Sequence, residues 1–116
     1  MPLSEGFALP IEKLAVVTEE EIFGPLLPVL EHDGVDDFVA ATARRPKPLC
    51  LYYFGKDKGE EAEVLRRVPA GGVTVNNAMV HYNVPDLPFG GVGLSGHGRE
   101  KGFEGLKEFT TLRTLV

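Results

Sequence analysis

Apolar positions recur at helical spacing twice in the first two thirds of the chain. Val35, Phe38, Val39 and Thr42 stand at i, i+3, i+4 and i+7, which predicts a helix over 35–45. Asp33 is placed to cap it. Asp36 and Asp37 lie in its first turn, Arg44 and Arg45 in its last, and Pro46 and Pro48 stop it. A second helix is predicted over 60–68. It carries Ala62, Leu65 and Val68 on one face and ends at Arg66-Arg67, before Pro69 and the Gly71-Gly72 pair.

Two runs lack that period. Residues 49–54 are continuous, apolar and aromatic, as a strand buried on both faces would be, and 73–76 reads as another strand. A short apolar run at 26–30 suggests a further strand, in which Pro28 needs an edge or a bulge. After Asn76 about 22 residues show no clear period, and so long a connection in a compact domain points to function. A helix over 99–108 and a strand over 110–116 close the pattern. Strand alternating with helix through short connections predicts a parallel sheet with right-handed crossovers. Three strands make a thin sheet, so the chain is expected to be part of a larger domain or to complete itself by oligomerising.

Composition narrows the classes. With 116 residues, 43% of them hydrophobic and 25% charged, the chain has the mix of a single globular domain, not of a disordered tail. A net charge of −5 argues against nucleic acid and anionic lipid. The longest apolar runs are far too short to span a bilayer, and no signal peptide is visible, so the cytoplasm is the expected compartment. One cysteine excludes a disulfide framework and a cysteine zinc cage, and His32, His81 and His97 have no metal-ligand spacing.

Five glycines fall within the nine residues 90–98, interleaved with apolar side chains. That density implies positive φ angles or backbone packed against something. Gly91-Val92-Gly93-Leu94-Ser95-Gly96 fits GxGxxG but lacks the preceding strand and following acid of a dinucleotide fingerprint, which favours packing over phosphate binding. His97 occupies the last glycine position of GxSxG, so Ser95 is no nucleophile elbow. Cys50, inside the 49–54 run, is expected to be a small core residue. Glu19-Glu20-Glu21-Ile22-Phe23-Gly24-Pro25 reads either as a charged loop or as a carboxylate and a ring at the mouth of a cleft, suited to a ribose and a flat heterocycle.

Glu20-Glu21-Ile22-Phe23-Gly24-Pro25 and Leu87-Pro88-Phe89-Gly90-Gly91-Val92-Gly93-Leu94-Ser95-Gly96, in that order and joined by the 47–54 and 71–77 segments, resemble the carboxyl-terminal part of the aldehyde dehydrogenase superfamily. The likeness covers residues 16–116, with 1–15 matching poorly. Met79-Val80-His81-Tyr82 before the glycine-rich motif is similar to the branch acting on fatty and aromatic aldehydes, which includes coniferyl aldehyde dehydrogenase. The resemblance implies a parallel three-layer α/β sheet fragment of that family's catalytic domain. It implies an oxidoreductase that turns an aldehyde into a carboxylic acid with NAD or NADP, as a homo-oligomer when complete. In such enzymes a cysteine thiolate attacks the aldehyde, hydride leaves for the cofactor, and water activated by a glutamate releases the acid.

By the same resemblance Glu21 binds the nicotinamide ribose and Phe23 packs near the nicotinamide. Phe89 lines the substrate tunnel, His81 and Tyr82 shape its entrance, and Asn76 is a supporting polar residue near the centre. The family's catalytic cysteine, base glutamate and dinucleotide fingerprint lie upstream of the matching region, so no catalytic residue is expected here. Cys50 stands where the family commonly has a small apolar residue. The chain is thus expected to be a truncated gene product, a domain fragment or a degenerate copy, inactive alone. The alternatives are a non-catalytic interaction module that pairs through a sheet edge, and a free-standing nucleotide-binding domain.

Overall fold

The computed structural model describes residues 20–25 and 27–116. Residues 1–15, expected to match poorly, lie outside them, as does Leu26, the first residue of the strand expected over 26–30. Residues 1–31 and 32–116 are separate units. In the first, the described residues form bends and irregular chain without a helix or strand, and Leu27 to Leu30 make no ladder.

The second unit runs α1 (Val35–Ala43), β1 (Cys50–Tyr53), α2 (Lys58–Arg67), β2 (Gly72–Val75), α3 (Val80–Asn83), a 3₁₀ turn (Gly93–Ser95) and α4 (Gly102–Glu108). The strands pair in parallel across the α2 crossover, Cys50 opposite Gly72 and Tyr53 opposite Val75. This is the expected parallel α/β arrangement with two strands among the described residues, not three. Residues 110–116 form no ladder: a β-favouring run makes a strand only where a partner offers its N–H and C=O groups.

Register sorts the sheet into two faces. Leu51, Tyr53, Val73 and Val75 point one way; Cys50, Tyr52, Gly72 and Thr74 point the other. Leu51 and Tyr53 form the core with Val64 and Val68 of the α2 segment, and Val35, Phe38 and Val39 of α1 pack against it. The buried stripe of α2 is therefore Val64 and Val68, not Ala62 and Leu65; Leu65 is exposed. Helix α2 begins at Lys58 because Asp57 caps it, its Oδ1 accepting from Gly59 N at 2.8 Å and Glu60 N at 3.1 Å. Burial pushes the Tyr53 phenol above its ordinary range, and Glu60 and Asp57 add to the rise. Its hydroxyl donates to Asp57 O at 3.3 Å.

Helix α1 is not capped by Asp33. Gly34 takes the cap position without a side-chain bond, and the helix ends at Ala43, so Arg44 and Arg45 follow it. Helix α4 starts at Gly102 rather than near 99, because Glu100 is held in a bridge with Phe89. No helix among the described residues is long and apolar enough to cross a membrane.

Candidate functional site

The polar face of the sheet is covered by one side chain. Met79 adopts a left-handed conformation (φ 62°) and starts the single turn α3, which turns His81 back over β1 and β2. His81 Nδ1 lies 2.7 Å from Thr74 Oγ1, and Nε2 lies 3.1 Å from Cys50 Sγ. A Cβ on Gly72 would sit 2.7 Å from His81 Cδ2, so bare backbone is what admits the ring. Tyr52, beside Cys50 on the same face, stands 5.8 Å from His81 between ring centroids and donates its hydroxyl to Met79 Sδ at 3.2 Å. Burial raises the Tyr52 phenol and the facing Cys50 adds to it, so Tyr52 is a neutral donor at pH 7.

Outward from this face the rings continue. Phe89 stacks on His81 (5.8 Å, 26°) and receives the edge of Tyr82 (5.0 Å, 82°). Lys101 Nζ sits 3.4 Å from the Tyr82 ring centroid and donates to Tyr82 O at 2.6 Å. His81, Tyr82 and Phe89 thus form one aromatic wall.

The glycine-rich segment holds Phe89 in place. Phe89 and Glu100 exchange two backbone hydrogen bonds of 2.7 Å, closing residues 90–99 into a loop. Inside it, Arg99 Nη1 donates to Gly91 O and to Gly98 O, each at 2.7 Å. Gly91 is buried, and a Cβ there would strike the backbone of Ser95 and Gly96. Gly90, Gly91 and Gly96 serve packing, and the segment opens no helix at Gly96, as a phosphate-binding fingerprint would. Ser95 Oγ is engaged at both ends with Val92, accepting from its N at 2.8 Å and donating to its O at 3.0 Å.

Asn76 is a joint. Its Oδ1 accepts from Gly55 N and its Nδ2 donates to Gly55 O, both at 2.9 Å, which ties the loops leaving the two strands. It lies at the carboxyl end of the parallel pair, where ligands of open α/β sheets gather. Glu21 and Phe23 belong to the first unit. Both are exposed, and Phe23 holds φ +50°, an uncommon conformation for a bulky residue.

The sequence named His81, Tyr82, Phe89 and Asn76 but not Thr74 or Lys101, and it placed Cys50 in the core. Cys50 is half-buried and faces away from Leu51 and Tyr53. Strand parity was the available signal, since Cys50 and Tyr52 alternate with the core positions. Among the described residues no group of three or more His, Cys, Asp or Glu could hold a metal ion.

The aldehyde dehydrogenase family model matches residues 10–115. A probable coniferyl aldehyde dehydrogenase from Pseudomonas aeruginosa is 48% identical over 94 residues, 81% of this chain and 20% of that protein. Among solved structures, the substrate-bound state of Staphylococcus aureus AldH superposes with a TM-score of 0.78 at 42% identity, covering 82% of this chain and 21% of that one. A double mutant of betaine aldehyde dehydrogenase from Staphylococcus aureus, in complex with NAD+, superposes with a TM-score of 0.72 at 31% identity, covering 80% and 18%. The chain spans about a fifth of the length of the curated relatives it matches.

Proposed function

The chain belongs to the aldehyde dehydrogenase family, and from that premise we propose that it supplies cofactor-ribose and substrate-tunnel contacts to an NAD(P)-dependent oxidation of an aldehyde to a carboxylic acid. Residues 16–116 are the carboxyl-terminal part of the catalytic domain, and 1–15 a preceding segment. The catalytic cysteine and the base glutamate belong to parts of the complete protein outside this match. The reading is carried by the aromatic wall of His81, Tyr82 and Phe89, which rises from one face of a parallel sheet.

NAD(P)+ supplies the hydride acceptor when bound. Glu21 fits a ribose: an exposed carboxylate takes two hydroxyl donors without displacing a buried partner. Phe23 presents an almost fully open ring, 92% exposed, which suits packing beside a flat heterocycle. Phe89 lines the aldehyde tunnel, His81 and Tyr82 shape its entrance, and Asn76 supports the sheet end below. The flat rings favour aromatic aldehydes of the coniferyl type, and the resemblance extends the class to fatty aldehydes. The complete enzyme works as a cytoplasmic homo-oligomer.

The test is Phe89→Leu in the complete enzyme, which keeps apolar volume and removes the flat face. KM for an aromatic aldehyde is expected to rise about 3- to 10-fold, the worth of one aromatic pair. KM for a straight-chain aldehyde should move much less. An equal change for both would remove Phe89 from the tunnel.

A further inference from the structure

Cys50 and Thr74, to which the proposed aldehyde oxidation gives no role, join His81 in a second arrangement. A nucleophile, a base within hydrogen-bond reach of it, and a third group orienting the base are the parts of an activated thiol. Sγ to Nε2 is 3.1 Å, and Nδ1 to the buried Thr74 hydroxyl is 2.7 Å. The tautomer in which Nδ1–H donates to Thr74 Oγ1 leaves the Nε2 lone pair facing Sγ. Two further constraints fix the ring independently of these bonds. Gly72 gives it room that any Cβ would fill, and Phe89 stacks on it at 5.8 Å. Cys50 is half-buried, the exposure a reactive thiol needs.

We propose that Cys50 is a base-assisted nucleophile for α,β-unsaturated carbonyl compounds, with His81 as its base and Thr74 as the positioning residue. The class follows from the surroundings. A soft thiol beside the rings of Tyr52, His81 and Phe89 suits a planar, conjugated electrophile. In the addition, Sγ bonds to the β-carbon and the C=C pair moves toward the carbonyl. The thiol proton passes to His81 Nε2 and from there to the α-carbon. The product is a thioether; no group leaves and no oxidant is consumed. The site shares His81 and Phe89 with the proposed aldehyde tunnel, but the addition consumes no NAD(P)+ and its test needs no aldehyde oxidation.

The experiment is alkylation of the purified full chain by N-ethylmaleimide at pH 7, with the Cys50 peptide quantified by mass spectrometry over time. An unassisted thiol is only a few per cent thiolate at that pH, so a base within reach can raise the rate by about 10-fold. Native Cys50 is expected to react about 10-fold faster than Cys50 in the same chain unfolded in guanidinium. Thr74→Val should lower that ratio and His81→Phe should abolish it. Burial without activation predicts the reverse, a native rate below the unfolded one, and that result would overturn the proposal. So would a folded His81→Phe chain that keeps the native advantage. If His81→Phe does not fold, the native-to-unfolded ratio and Thr74→Val decide.

Discussion

Gly71→Ala is expected to destabilise the second unit by about 3 kcal/mol, at the upper end of what overpacking costs. A Cβ there meets backbone on two sides, Leu49 O at 2.6 Å and Gly91 Cα at 2.9 Å, besides Gly90 O. Backbone cannot rotate away as a side chain can. Gly71 also closes the crossover, its N–H donating to Pro48 O at 3.1 Å. Relief therefore requires separating the start of the sheet from the loop that carries Phe89. Gly93→Ala is the comparison. Gly93 holds φ +66° with nothing within 4 Å of its virtual Cβ, so it meets only the left-handed cost of about 1–2 kcal/mol. Chemical denaturation followed by circular dichroism measures both. Equal costs would mean that the glycine loop does not press on the sheet.

Glu21→Gln in the complete protein is expected to slow hydride transfer by about 10²-fold with little change in melting temperature. A carboxylate accepting from two ribose hydroxyls makes charge-assisted bonds stronger than those of an amide. Their effect is to hold the nicotinamide at reacting distance, where a misplacement of about 1 Å costs on the order of 10²-fold. Glu21 is exposed on irregular chain, so its loss removes no core packing. Glu20→Gln, the adjacent residue, should leave the rate nearly unchanged. Single-turnover NAD(P)H formation gives the rates, with melting recorded in parallel. A rate loss that merely follows a large fall in melting temperature would assign Glu21 to structure instead.

The elements with a period or a punctuating residue were legible in the sequence. Helix α2 has Pro69 and the Gly71-Gly72 pair after it, and it lies within two residues of its expected span. Strand β1 occupies the middle of the aromatic run. What failed was whatever depended on a neighbour. The 110–116 segment has no partner strand among the described residues. The single turn α3 rests on the left-handed Met79, which no spacing announces.

At the candidate site the same division holds. His81, Tyr82 and Phe89 came from the resemblance, and the structure brings them into one wall. The contacts of His81 with Thr74 and Cys50 depend on parallel register, which pairs Cys50 with Gly72 and Tyr52 with Thr74. A linear sequence does not display that pairing.

The most direct measurement is a graft. Residues 16–116 replace the matching segment of the Pseudomonas aeruginosa relative, and aldehyde-dependent NAD(P)H formation is followed in the purified protein. The predicted result is retained turnover that Glu21→Gln lowers by about 10²-fold. A folded graft that binds NAD(P)+ and forms no NAD(P)H from any fatty or aromatic aldehyde would contradict the assignment.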